Sequence, residues 1–311
     1  MRRIGTTDLD VFPLALGGNT FGWTSSEAES FAVLDAYAAA GGNFIDTADV
    51  YAAWAPGNVG GESETILGNW MKLRKNRDRL IIGTKVGQGP GFAALAPATI
   101  RGAAEASLRR LQTDVIDLYY AHIDDKETPL AESLGAFDAL VREGKVRHIA
   151  ASQYGAARLE EALAVSKDNG LARYVALQTH YSLVHRADYE GALAAVCERE
   201  GVACLPFWAL AKGFLTGKYR PGREVASVRR EGASAYLDAR GLRVLGALDE
   251  LAAAHHTTVA AAALAWLLSQ PTIGVPLASA RTPEQLVDLL PVVDLVLDRQ
   301  EVQRLTDASA A

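Results

Sequence analysis

Cysteine is almost missing from this chain: among 311 residues there are two, Cys197 and Cys204. Two thiols cannot build a disulfide framework, or a zinc site by themselves, so they read as reduced core thiols of a cytoplasmic protein. Long apolar runs are missing too. The longest, Val259–Leu268, has 10 residues, against the roughly 18 that a membrane span needs, so it is expected as a buried helix with no membrane partner. The opening "MRRIGTTDLD" has two arginines but no apolar stretch behind them, so no secretory signal is visible. Excess positive charge is lacking: the net charge is −6, which argues against a general nucleic-acid surface. No Gly/Ser-rich or Pro-rich linker divides the chain, so residues 1–311 are expected to form a single domain.

What the chain does have is a repeating unit: a short apolar strand, a polar turn, then an amphipathic helix. Eight strands are expected, over 14–17, 44–46, 80–85, 116–122, 148–152, 175–179, 203–208 and 273–276. The helices between them carry clear end signals. "SEAESFAVLDAYAAAGG" opens on Ser26 as an N-cap and stops at Gly41 and Gly42, with Phe31, Leu34 and Tyr37 at helical spacing. "TPLAESLGAFDALVREGK" starts at Thr128 and Pro129 and ends at Gly144. Strict alternation of strand and helix implies a parallel sheet with right-handed crossovers, and eight units suggest closure into a (β/α)₈ TIM barrel. An open doubly wound sheet is the alternative. It would want Gly-x-Gly-x-x-Gly after the first strand, and "LGGNTFG" lacks that spacing. The opening "RRIGTTDLDVF" reads as a β-hairpin ahead of the barrel, placed to plug its bottom.

One connection is unusual. Segment 209–240, after the seventh strand, is a long loop with no clear period, and loops of that length are usually functional or disordered. Lys212, Lys218, Arg220, Arg223, Arg229, Arg230 and Arg240 stand there against only Glu224, Glu231 and Asp238. A solvated loop is the ordinary explanation. A flap over an anionic ligand is the functional one.

In a barrel of this kind chemistry collects at the carboxyl ends of the strands. The second strand ends on Asp46, with Tyr51 in the loop behind it; the third ends on Lys85 and the fourth on His122. Each has an ordinary structural explanation alone: a capped turn, a plugged loop, a lysine in water. Four titratable groups on three successive strand ends can instead converge. A free phenol has a pKa near ~10, too high for efficient acid catalysis near neutrality. A lysine beside it favours phenolate, an aspartate keeps that lysine charged, and a neutral histidine orients the reacting oxygen. Such a group can protonate an oxygen that is becoming alkoxide, as a carbonyl does on receiving hydride.

"GGNFIDTADVY", "IIGTKVG", "DLYYAHIDD" and "LPFWALAKGFLTGKY", with "GVPLASARTPEQL" near the end, closely resemble the aldo-keto reductase family. The resemblance runs over essentially the whole chain. It implies a (β/α)₈ fold and reduction of a small-molecule aldehyde or ketone, or the reverse alcohol oxidation, usually without a metal. NADPH is the implied cofactor, with NADH as the alternative. It makes Tyr51 the general acid, tuned by Lys85 and Asp46, and has His122 position the carbonyl. Ser152, Gln153 and Gln178 match the positions that hold the nicotinamide carboxamide, and Gln153 stands where many members have Asn. Phe207 matches the ring that stacks on the nicotinamide, often a Tyr. Leu210, Lys212, Gly213 and Lys218 fall in the segment lying across the pyrophosphate. Ser279 and Arg281 match the 2′-phosphate contacts and Gln285 the adenosine end, where Arg is frequent; Leu289 falls where many relatives place an adenine-binding Asn. Trp23 and Trp54 would rim the substrate mouth. Two other readings remain open on the sequence. A metal-dependent barrel hydrolase would want clustered His and acidic ligands, and there is no His-x-His pair among the six histidines. Some relatives of the family serve as accessory subunits of membrane channels.

Overall fold

The computed structural model describes residues 1–310. Eight parallel strands form one sheet in the order seven, six, five, four, three, two, one, eight. They are Ala15–Gly17, Phe44–Asp46, Ile81–Val86, Ile116–Ala121, Val146–Ser152, Tyr174–His180, Ala203–Phe207 and Leu277–Ala278. The ring closes between the seventh and eighth strands. There the Cys204 amide donates to the Thr272 carbonyl at 2.8 Å and the Gly274 amide donates to the Cys204 carbonyl at 2.9 Å. This is the expected TIM barrel.

The eighth strand departs from expectation. The segment 273–276 crosses over between two neighbours, and the regular ladder begins only at Leu277, which pairs with Ala15. Pro276 has no N–H to give a ladder, although its carbonyl accepts from Ala15 at 3.0 Å. The seventh strand also ends one residue early, at Phe207, because Trp208 turns into left-handed backbone with φ 50°. Elsewhere the strand bounds shift by one or two residues.

Alternation along each strand separates two cores. In the fourth strand Leu118 and Tyr120 point into the barrel, while Tyr119 and Ala121 pack under the helices. The bottom of the interior is filled by the N-terminal hairpin, Arg2–Arg3 paired with Asp10–Val11. Its Ile4, Leu9 and Val11 are fully buried against Phe44, Leu118 and Ala176. With that end plugged, a ligand has only the other end to enter.

The helices follow their end signals. Ser26 and Glu29 form a reciprocal capping box on Glu27–Ala39. Leu130–Arg142 starts behind Pro129 and ends before Gly144, whose φ is 73°. Val259–Leu268 is a buried helix. Among the described residues no single helix is long and apolar enough to cross a membrane. The segment 209–240 is more ordered than expected. It holds a 3₁₀ turn, Ala211–Thr216, and a short helix, Arg230–Ser234, before the helix Ala239–Ala254 begins.

Candidate active site

The second and third strands pair Asp46 with Gly83, which sets Lys85 beside the loop that leaves Asp46. Lys85 is fully buried. A buried ammonium needs partners for its protons, and it has three. Lys85 Nζ donates to Asp46 Oδ2 at 2.6 Å, to the Thr47 carbonyl at 2.7 Å and to the Tyr51 hydroxyl at 3.1 Å. Tyr51 sits in the turn behind the second strand, its amide donating to the Ala48 carbonyl at 3.2 Å, and Ala52 after it is left-handed, φ 72°. His122, one residue past the fourth strand, brings its ring to 6.2 Å from the Tyr51 ring. Asp46, Tyr51 and His122 line one cavity of about 690 Å³, and Lys85 stands directly behind them.

Burial and charge set the protonation states. Burial alone would lower Lys85, but the charges of Asp46 and Tyr51 more than offset it, so its pKa is raised and it stays an ammonium. Burial pushes the Asp46 carboxyl up, against the pull of Lys85 and Gln178. Burial likewise raises Tyr51 above the ordinary phenol value; Lys85 draws it down and Asp46 pushes it up. The lysine was expected to bring the phenol below its usual range. In this site desolvation outweighs it, and the phenol keeps its proton. Burial, then Lys85, hold His122 down to about 3, so its ring is neutral near pH 7. Its Nδ1 has no hydrogen-bond partner among the described residues.

All eleven residues matched to the cofactor line the same cavity: Ser152, Gln153, Gln178, Phe207, Leu210, Lys212, Gly213, Lys218, Ser279, Arg281 and Gln285. Leu289 lines it too. Several already have partners. Gln178 Nε2 donates to Asp46 Oδ1 at 2.8 Å, so this amide steadies the carboxylate as well as facing the cavity. Gln153 Nε2 donates to the His122 carbonyl at 3.0 Å from left-handed backbone, φ 62°. Gln285 Oε1 accepts from the Arg281 amide at 3.0 Å. Trp54 lines the cavity and is 48% exposed. Trp23 does not line it: it backs Trp54 edge-on, ring centroids 5.6 Å apart.

Three residues escaped the sequence reading. Asn19, in "LGGNTFG", accepts from Ser279 Oγ at 2.8 Å and from Arg229 Nη2 at 3.3 Å. Arg229 was one of seven flap cations with nothing to single it out; it comes down into the cavity. Trp208 lay unremarked beside Phe207. The cavity therefore carries Lys218, Arg229 and Arg281 together. Burial first, then Arg281 and Arg229, lower Lys218; burial, then Arg281, lower Arg229. These cations repel one another, and none has an ion pair with a carboxylate among the described residues. Polyanionic phosphate is the chemistry that relieves such an arrangement. Left-handed backbone at Ala211, Lys212 and Gly213 bends the chain along the same wall. Phe207 offers an aromatic face there. The residues present thus fit a nicotinamide dinucleotide. Among the described residues no three His, Cys, Asp or Glu side chains meet in a way that could hold a metal ion.

Residues 13–310 match the family described as "Aldo/keto reductase family". The chain is similar to the protein Tas of Escherichia coli, 35% identical, covering 91% of this chain and 90% of Tas. It is similar to norsolorinic acid reductase A of Aspergillus parasiticus, 31% identical over 96% of this chain and 78% of that protein. An aryl-alcohol dehydrogenase of Pestalotiopsis microspora is 29% identical over 95% of this chain and 78% of its own length.

Proposed function

The chain belongs to the aldo/keto reductase family and is an oxidoreductase, and from that premise we propose that it reduces an aldehyde or ketone with NADPH, Tyr51 supplying the proton. The observation that carries this reading is the single ammonium of Lys85 held between Asp46 and the Tyr51 hydroxyl at the wall of the cavity. That a reductase and an alcohol dehydrogenase stand among the relatives supports a carbonyl/alcohol reaction read in either direction.

When bound, a reduced nicotinamide supplies the hydride. The chain's own residues do the rest. Neutral His122 and the Tyr51 hydroxyl offer hydrogen bonds to a carbonyl oxygen and polarise it. Tyr51 holds its proton at rest, because burial raises the phenol. As negative charge grows on the substrate oxygen the proton moves to it. The phenolate left behind meets the Lys85 ammonium 3.1 Å away, already in place and already charged. That stabilisation costs no rearrangement at the moment of reaction. Asp46, held by Gln178, keeps the ammonium oriented. Ser152, Gln153 and Gln178 would hold the carboxamide and Phe207 the nicotinamide face. Leu210, Lys212, Gly213 and Lys218 would meet the pyrophosphate; Ser279, Arg281 and Gln285 would meet the adenosine phosphate end. Unpaired, buried Cys197 and Cys204 support a cytoplasmic setting.

The test is Tyr51→Phe. It should bind NADPH as the wild type does and lose reduction by roughly 10²–10⁴-fold, the scale of general acid catalysis. Reduction near the wild-type rate would take Tyr51 out of the mechanism.

A further inference from the structure

The turn that carries Tyr51 also holds a carboxyl that the reaction does not use. Asp49 is buried, and neither of its oxygens has a hydrogen-bond partner among the described residues. Buried polar groups are normally paired, so an orphaned one asks for a reason. Its surroundings are closed. The carboxyl is pressed onto the bare backbone of Gly89, in the hairpin Gln88–Gly89 and Phe92–Ala93 that follows the third strand. Glu64, fully buried on the helix Glu62–Arg74, faces it with a like charge. Two cations are near, and both are occupied. Arg110 Nε donates to Glu64 Oε2 at 2.6 Å, and the Lys85 ammonium is shared by Asp46, Thr47 and Tyr51. The hydroxyls turn elsewhere: Thr84 donates to Glu64 Oε1 at 2.5 Å, and Tyr119 to the Ile100 carbonyl at 3.4 Å.

The same residue is tied to the proton-transfer group through its backbone. The Thr47 carbonyl accepts from Lys85 Nζ at 2.7 Å, the Asp49 amide donates to the Lys85 carbonyl at 3.4 Å, and the Tyr51 hydroxyl accepts from Nζ at 3.1 Å. Residues 47–51 are thus fastened to Lys85 at three points, with Asp49 in the middle. On the outer side Gly60 closes in, where a Cβ would lie 3.1 Å from the Asp49 carbonyl. A neutral carboxyl fits so tight a place. A carboxylate does not, because it would stand beside Glu64 without water and without a donor. Burial first, then Glu64, favour the neutral form, while Arg110, the Val50 amide and Lys85 pull the other way. An ionised Asp49 has to swing toward water or toward Arg110. The backbone drawn with it is the backbone that presents Tyr51.

We propose that Asp49 is a positioning residue: protonated, it packs the turn that holds Tyr51 against Lys85, and on ionising it displaces that turn, so that reduction is lost on the alkaline side before Tyr51 itself gives up its proton. This rests on reading the site as a carbonyl reductase. The neutral form holds the turn, so alignment is complete at low pH and is lost as pH rises through the titration of Asp49. Glu64 and Arg110 set where that happens. Removing the Glu64 charge takes away a repulsion and frees Arg110 to approach, which makes ionisation easier and moves the loss to lower pH. Asparagine at 49 cannot ionise, so there the loss waits for Tyr51.

The experiment follows kcat for reduction of 4-nitrobenzaldehyde by the enzyme saturated with NADPH, from about pH 5.5 to about 9.5. Relative to the wild type, the alkaline fall in kcat should move up by about one pH unit or more in Asp49→Asn and down by about one unit in Glu64→Gln, while KM for the aldehyde changes less than kcat. Hydrogen exchange, read without substrate, gives a measure independent of turnover. At about pH 8.5 residues 47–52 should exchange faster in the wild type than in Asp49→Asn, and at about pH 5.5 they should exchange alike. A fall in kcat at the same pH in the wild type and Asp49→Asn overturns the proposal. So does faster exchange spread evenly over the barrel, which marks a change of overall stability alone. A difference in exchange confined to 47–52, with no turnover of the aldehyde at any pH, keeps the coupling of Asp49 to the turn and overturns the reading of the reaction.

Discussion

Lys85 Nζ stands 2.6 Å from Asp46 Oδ2, and both groups are almost completely buried. Neither charge would be tolerable there without the other. The same ammonium reaches the Tyr51 hydroxyl, so one proton-rich group serves a carboxylate and a phenol at once.

That sharing fixes how mutations should combine. Lys85→Met removes the cation that receives the phenolate and should lower kcat by about 10²–10⁴-fold. Asp46→Asn keeps the shape but leaves the ammonium with a neutral partner, and should also be impaired. The double variant should lose far less than the product of the two single losses, because the groups act as a unit. Steady-state kinetics of the three proteins decides. Strictly multiplicative losses would mean that the two residues act independently.

Much of this site was legible because the strands are short and apolar, and three successive ones carry a polar residue at or beside their carboxyl ends. Asp46, Lys85 and His122 stand at strand ends, where period and polarity change together. Tyr51 followed from its spacing to Asp46. What was not legible depended on tertiary placement. Arg229 sits in a segment without a period, and only the folded flap brings it to Asn19 and Arg281. The eighth strand was misplaced because Ile273 is strand-like and does meet Cys204, yet the proline at 276 delays the regular ladder. Trp208 reads as the end of a strand until its backbone turns left-handed. The phenol's pKa went the other way from the expectation because sequence displays the lysine but not the depth of burial.

Burial also leaves a carboxyl with no partner. Asp49, two residues before Tyr51, is 3% exposed, and neither of its oxygens has a hydrogen-bond partner among the described residues. It packs so closely on Gly89 that a Cβ there would lie 2.5 Å from its Oδ2. Burial first, then Glu64, push this carboxyl up to about 7, while Arg110 and Lys85 pull the other way. The folded protein therefore holds a proton that the unfolded chain releases near pH ~4. Stability contributed by the neutral group is complete below that pH and is lost as pH rises through about 7. At about 1.4 kcal/mol per pKa unit the loss is at most about 4 kcal/mol, less whatever relaxation around Glu64 recovers. Asp49→Asn keeps the shape and cannot ionise. It should be more stable than the wild type at pH 8 by about 1–4 kcal/mol, and the difference should vanish near pH 4. Urea denaturation at the two pH values measures this; an identical difference at both would show that Asp49 does not titrate across the window.

On the proposed function, cofactor choice would turn on the cation group at the far side of the cavity. Arg281 lines it with Lys218 and Arg229, two residues ahead of the short helix Pro283–Val287. Its amide is occupied by Gln285 Oε1, while its side chain has no ion-pair partner among the described residues. NADPH differs from NADH by a 2′-phosphate with nearly two charges, and a guanidinium meets phosphate with a fork of N–H bonds. Hydrogen bonds to charged groups contribute roughly 1.5–3 kcal/mol. Arg281→Ala should therefore weaken NADPH by about 10–100-fold at low salt, each ~1.4 kcal/mol being a factor of ten. NADH should change little, because it brings no phosphate to that side chain. Added salt should narrow the gap between the two cofactors in the wild type, since screening acts on the phosphate contact and not on the shared dinucleotide. Removing Arg281 also relieves its repulsion on Lys218 and Arg229, which limits the loss toward the lower end of the range. Fluorescence titration of both cofactors against both proteins provides the measurement. If NADH and NADPH lose affinity equally, Arg281 supports the adenosine or the fold, and the phosphate is met elsewhere.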